Sequence, residues 1–238
     1  MPTILAIETS SELASCALLA GGHVYVRSSA GVRTHSQSVL PMVQELLGEA
    51  GIALAACDAI AFGAGPGSFT GVRTACGVAQ GLAYGAGLPV LPLVTLAAMA
   101  ESCRARTGAH EVLAVLDARM GEVYWAQYRY DTARGAWDEV AAPALCAPQD
   151  LRPLPAAQLA ACGNGFAAYP DAFAGQAFAA GALDDILPHA RELALLGAAA
   201  LAAGLALPAA QAQPLYLRNK VAYTSAERQA INAAKAGT

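Results

Sequence analysis

One order of short strands and amphipathic helices is written twice along this chain, and a duplicated unit of that kind leaves few architectures open. Residues 3–10, 13–20 and 23–30 are β-favouring runs separated by polar or Gly-Gly turns. Over residues 35–50 apolar side chains recur at three- and four-residue spacing, which predicts a helix that Gly51 ends. A buried strand at 59–63, a helix from about 70 to 84, a strand at 89–94 and a helix starting near Thr95 complete a βββαβαβα unit. The second half repeats that order, with strands at 112–118, 122–130 and 137–145 and a short helix near 148–154. A strand at 159–162, a helix around 166–173, a strand at 183–187 and a helix over 189–203 follow. The polar stretch 104–110 separates the copies. It predicts an N-terminal subdomain over 1–106, a C-terminal subdomain over 107–215 and a polar, partly disordered tail over 216–238.

Composition narrows the partners. Charged residues make up 13% of the chain against about 25% in an ordinary soluble domain, and the net charge is −4 with only two lysines. A free-standing RNA groove needs clustered Lys and Arg, so any RNA contact is local or shared. From residue 216 onward four basic residues, Arg218, Lys220, Arg228 and Lys235, face only Glu227, and a solvated tail is the reading they favour. Alanine supplies about a quarter of the positions, so the apolar content comes from small side chains. The uncharged runs 74–100 and 193–210 fail as membrane spans because Gly and Pro interrupt them. Six widely spaced cysteines exclude CxxC metal pairs and a disulfide scaffold, and the first residues carry no basic leader; a cytoplasmic protein is expected.

Both halves end their first strand in an acid, Glu8 before Thr9-Ser10 and Asp117 before Ala118. In a duplicated α/β fold such strand ends face a shared cleft. With Gly163-Asn164-Gly165 they resemble the actin, sugar kinase and heat-shock ATPase superfamily, which makes Glu8, Thr9, Ser10, Asp117, Gly163, Asn164 and Gly165 candidate nucleotide-binding residues. The motif loop Gly65-Pro66-Gly67-Ser68-Phe69-Thr70-Gly71, running on to Arg73, lies between a strand and a helix. It lacks the Lys-Ser/Thr of a Walker loop and Pro66 removes an amide, so a tight packing turn outweighs phosphate binding on pattern alone. In the helix that follows, Gly77, Gly81 and Gly85 recur every four residues. Each costs about 1 kcal/mol relative to alanine, and close approach of another helix is the expected compensation. An internal helix ranks slightly ahead of a partner's. No HxxxH, HExxH, GxSxG or Cys/His arrangement is present, so no catalytic residue and no metal site are assigned.

Taken together, Ile4 to Ser10, His35-Ser36 with Leu40-Pro41, the Gly65 to Arg73 loop, Asp117 to Tyr124, Gly163 to Gly165 and Tyr216-Leu217-Arg218 resemble the TsaB (YeaZ) family, in order and over nearly the whole chain. The resemblance implies an actin-like, ribonuclease H-like fold. It implies a non-catalytic subunit of the machinery that places threonylcarbamoyl on the adenosine beside the anticodon in tRNAs reading codons that begin with A. The catalytic paralogue TsaD and the ATPase TsaE are the implied partners, tRNA is reached through the complex, and a homodimer is expected without TsaD. The metal-binding histidines of TsaD have no counterpart in residues 94–100 here. No cofactor is expected to bind tightly, and ATP or ADP at a subunit interface stays open. Pairing with TsaD through the first two helices makes Val39, Met42, Val43, Leu46, Gly77 and Gly81 candidate partner-binding residues. The alternative is an ATP-dependent phosphotransferase of the same superfamily, with Glu8, Asp117 and the 163–165 turn as its cleft.

Overall fold

The computed structural model describes residues 1–30 and 35–218, with the backbone alone at Ala30; Lys220, Arg228 and Lys235 of the basic tail lie outside the described residues. Strands β1 (Ile4–Glu8), β2 (Leu13–Ala20) and β3 (His23–Ala30) form an antiparallel meander. Strands β4 (Ala59–Gly65) and β5 (Val90–Val94) extend it in parallel, giving the order β3-β2-β1-β4-β5. The second sheet repeats the plan with β6 (Glu111–Arg119), β7 (Glu122–Asp131), β8 (Ala136–Cys146) and β9 (Leu159–Cys162), in the order β8-β7-β6-β9. Helices α1 (His35–Ala50), α2 (Phe69–Ala86) and α3 (Thr95–Thr107) lie in the first half. The second half holds α4 (Gly165–Ala168), α5 (Pro170–Phe173) and α6 (Ala190–Ala202).

The copies differ where proline intervenes. The helix expected near 148–154 is a single 3-10 turn at Pro148–Asp150, because Pro153 and Pro155 follow and neither can continue a helix. The helix expected over 166–173 breaks into α4 and α5 at Tyr169, whose φ of −134° and ψ of 56° lie outside the helical region that a following proline disfavours. The strand expected at 183–187 is reduced to one bridge between Cys162 and Leu183, after which the Asp184-Asp185 pair leaves the sheet. The second sheet therefore lacks a counterpart of β5.

Alternation along β1 divides the first lobe into two cores. Leu5 and Ile7 face α1 and α2, while Ile4 and Ala6 face α6 on the other side. The stripe Val39, Met42, Val43 and Leu46 of α1 is buried in the first of these cores, so those four do not form an exposed partner face as expected. An amphipathic helix spends its apolar stripe on the sheet beneath it before anything else can use it. Small side chains set the spacing on the opposite face. A Cβ on Gly197 of α6 would stand 3.1 Å from both Ala61 and Ile4, and Ala190, Ala194 and Ala200 pack on that face. Helix α3 covers one side of the second sheet, and Phe166 and Phe173 cover the other, their rings 4.9 Å apart.

His189 caps α6, with Nδ1 accepting from the Arg191 amide at 3.1 Å. Burial pushes its imidazole below the ordinary value of 6.5; Glu192 opposes that shift and Arg191 adds to it, with the Arg106–Asp185 pair facing the same hollow. Protonation also removes the lone pair the cap requires. A depressed folded pKa means the stability is complete above 6.5 and is lost as pH falls through that value towards the folded one. His189→Asn keeps a cap acceptor that does not titrate. Its Tm should fall less than the parent's between about pH 7.5 and pH 5; equal slopes in thermal melts would refute the assignment.

Candidate functional site between the lobes

The C-terminal ends of β1, β4, β6 and β9 converge on a cleft between the sheets. It holds a cavity of about 360 Å³ whose walls include Ser10, Ser68, Asp117, Arg119, Asn164 and Tyr216, at the small end of the roughly 300–1,000 Å³ usual for ligand pockets.

On the first lobe the loop Gly65 to Arg73 holds the turn after β1. The Ser68 amide donates to Ser10 O at 2.7 Å and the Thr9 hydroxyl to Gly71 O at 2.6 Å. A Cβ on Gly67 would come within 2.6 Å of Ser10, and one on Gly71 would collide with Thr9 O. Glycine is required at both positions because one backbone lies directly on another. Ser68 also caps α2, its Oγ accepting from the Gly71 amide at 3.4 Å, and Thr70 O accepts from the Thr74 hydroxyl at 3.0 Å. Gly65 takes φ 113°, a left-handed value that glycine tolerates. Pro66 follows it without an amide to offer. The loop is a packing device, with Gly67, Ser68 and Phe69 also bordering the cavity.

The second lobe repeats the close approach in other residues. Gly163 also has φ 113°; a Cβ there would collide with Val115 O, and one on Gly165 would lie 2.7 Å from Val115 Cγ1. Asn164 Oδ1 accepts from the Asp117 amide at 2.9 Å. The Asp117 carboxylate accepts from the Arg119 amide at 2.8 Å and the Tyr169 hydroxyl at 2.9 Å, and pairs with the Arg119 guanidinium at 3.2 Å. Beyond it the β6–β7 turn is strained, because Arg119 and Met120 both lie near φ 60°, followed by Gly121 at 78°. Such values cost non-glycine residues about 1–3 kcal/mol each and need support from their surroundings.

Of the candidate nucleotide residues, Ser10, Asp117 and Asn164 border the cavity, whereas Glu8, Thr9, Gly163 and Gly165 do not. Glu8 is fully buried, with one oxygen accepting from the Ser10 amide and the other against Gly63 without a partner. Burial pushes its carboxyl up, against the lowering effect of the Ser10 and Thr9 hydrogen bonds. With Glu8 sealed away and Asp117 committed to three donors, the strand-end acids do not fit a magnesium-nucleotide site. Among the described residues no group of three or more His, Cys, Asp or Glu could hold a metal. Within the stretch 94–100, Leu96, Ala98, Met99 and Ala100 are core residues.

Sequence reasoning missed the fourth wall of the cavity, Leu215 to Arg218, which it assigned mostly to the tail. The run Tyr216-Leu217-Arg218 was visible as a motif; nothing in its spacing tied it to residues a hundred positions earlier. The glycine stripe differs from the internal packing that its pattern alone favours. Cβ atoms on Gly77, Gly81 and Gly85 would meet nothing within 4 Å, so among the described residues no helix covers them. They lie on the exposed face of α2, where Tyr84 is 81% exposed, and Leu40 of α1 is 46% exposed.

The chain is 39% identical to the "tRNA threonylcarbamoyladenosine biosynthesis protein TsaB" of Escherichia coli, over 92% of its own length and 96% of that protein's. It belongs to the TsaB family. The TsaB protein of Haemophilus influenzae is 38% identical over 93% of this chain and 95% of its own. The wider family described as "TsaD: tRNA N6-adenosine threonylcarbamoyltransferase" matches residues 25–228. The structure of YeaZ from Pseudomonas aeruginosa superposes with a TM-score of 0.84 at 42% identity, covering 91% of this chain and all of that one. The two lobes thus form the actin-like two-subdomain fold, and the duplicated order of elements is its signature. Among the described residues no helix of this TsaB-family chain is long and apolar enough to cross a membrane.

Gly71→Ala should destabilise the fold by at least the roughly 1–3 kcal/mol of an overpacked core site. Gly77→Ala, in open space within a helix, should stabilise it by up to about 1 kcal/mol. Urea titration of both variants separates the packing glycines from the surface ones; equal effects would refute the distinction.

Proposed function

We propose that this chain is a non-catalytic accessory subunit in tRNA threonylcarbamoyladenosine biosynthesis, acting by docking on the paralogue TsaD, with TsaE joining the pair. The observation that carries the docking surface is the exposed stripe Gly77, Gly81 and Gly85. Three glycines in one helix interior are a cost without return in the isolated chain, and a partner helix pressed against them supplies the return. Tyr84 of α2 and Leu40 of the neighbouring α1 are large apolar side chains left exposed for such a contact. In this reading α1 contributes its outer residues and keeps Val39, Met42, Val43 and Leu46 for its own core. Without TsaD the same face pairs two copies of this chain, and tRNA is met through the complex. The names of the relatives support the pathway, and the buried Glu8 and committed Asp117 support the absence of chemistry in this subunit.

The purified chain should transfer no threonylcarbamoyl alone and should restore transfer when added to TsaD, TsaE and the adenylate-forming enzyme. Gly81→Arg should weaken association with TsaD by about 100-fold or more, the effect of losing a central close-packed contact, while circular dichroism and Tm of the free chain stay near the parent's. Undiminished association in gel filtration would sink the assignment of this face. A bulky charge at Val43 should instead unfold the chain, because that side chain is 3% exposed.

The same reading places no tight nucleotide in the isolated chain, and leaves a subunit interface as the place for ATP or ADP. Calorimetric titration with ATP and magnesium should give no saturable heat. A micromolar dissociation constant would favour the phosphotransferase alternative.

A further inference from the structure

Leu215 to Arg218 runs across the cleft with one end on each lobe. On the first lobe the Leu215 amide donates to Ala64 O at 2.7 Å, and Leu215 O lies 2.9 Å from where a Cβ on Gly65 would stand. The Tyr216 hydroxyl accepts from Arg73 Nε at 2.7 Å. That guanidinium is stacked 3.4 Å from the Phe69 ring centre and 5.3 Å from that of Tyr216, a cation-π arrangement that holds the tyrosine beside α2. Leu217 then packs against the core of the second lobe. Arg218, largely buried, donates to Ala118 O at 2.9 Å and Arg119 O at 3.2 Å, reaches Met120 Sδ at 3.6 Å and pairs with Glu122.

Those last contacts all fall on the left-handed β6–β7 turn. Arg218 satisfies the Ala118 and Arg119 carbonyls beside this turn, and its charge makes each of those hydrogen bonds stronger than a neutral one. Four consecutive residues thus tie the N-terminus of α2 to the strained β6–β7 turn. The strand-end acids, which would have to serve a nucleotide, are occupied elsewhere.

We propose that Leu215–Arg218 is a clasp, an intramolecular ligand that occupies one wall of the cleft and fixes the two lobes against each other. Because it is tethered, the segment meets the cleft at a high effective concentration and needs no partner to bind. Its two ends are coupled, so releasing Arg218 from the second lobe also loosens Leu215 on the first. The coupling holds whether or not the α1–α2 face binds TsaD.

Amide hydrogen exchange on the full chain tests the coupling, with the Leu215 amide as reporter, since its acceptor Ala64 O lies on the lobe that Arg218 does not touch. Arg218→Ala should speed exchange at Leu215 about tenfold or more, the mark of a local opening shared along the segment. Amides in the middle of β1 should keep the parent's rates. Glu122→Gln weakens the same ion pair from a half-buried position on the second lobe, and should raise exchange at Leu215 in the same direction by less. It also reads the coupling should Arg218→Ala fail to fold. Exchange that changes only within residues 118–122, with Leu215 at the parent's rate in a folded variant, would overturn the clasp.

Discussion

The contact on which the first lobe depends is backbone against backbone, where Thr9 O presses on Gly71 and Ser10 on Gly67. Two hydrogen bonds, Ser68 N to Ser10 O and Thr9 Oγ1 to Gly71 O, fix the start of α2 to the end of β1. The first-lobe side of the cleft is placed by that junction. It aims α2 so that its inner stripe, Ala75, Cys76, Ala79 and Ala83, covers Leu5 and Ile7, which leaves Gly77, Gly81 and Gly85 pointing outward. It also puts Phe69 and Arg73, one turn apart, where Tyr216 can stack on them. One junction therefore sets both the outer helix face and one wall of the cavity.

The second lobe solves the same problem with different atoms, and the difference explains why neither strand-end acid resembles a catalytic group. Gly163 and Gly165 press on Val115 as Gly67 and Gly71 press on Ser10 and Thr9, so the duplication extends to where glycine is needed. Yet Glu8 turns inward against Gly63 and is sealed, while Asp117 stays at the cleft and spends its oxygens on Arg119 and Tyr169. Both carboxylates became parts of turns. A cleft built this way keeps the shape of a ligand site and uses its polar groups to hold itself together.

Much of this was legible in the sequence. The strands at 13–20 and 23–30 and the helix at 35–50 have the bounds that their β-favouring runs, flanking turns and helical spacing predict. Such patterns report the face turned to the core, and the core is what periodicity measures. The losses came where a second constraint overrode the pattern. Prolines at 153, 155 and 170 shortened two helices, and the short run at Leu183 had too little partner strand to become more than a bridge. The family likeness, carried by motifs spread from Ile4 to Arg218, agrees with the relatives, because those motifs are the turns and close approaches that the fold requires.

The outer helix face was legible in part and the fourth cleft wall hardly at all, for different reasons. The four-residue spacing of Gly77, Gly81 and Gly85 marks the outer face of α2, whereas the regular spacing of Val39, Met42, Val43 and Leu46 marks side chains already used in the core. The cleft wall has strong chemistry in Tyr216 and Arg218, but its partners are Arg73, Ala118, Arg119 and Glu122, brought near only by the closure of the whole fold. Local pattern reports local partners. A residue that bridges two lobes is written in the sequence only as an isolated side chain, and its meaning is set by the topology that returns the chain across the cleft after α6.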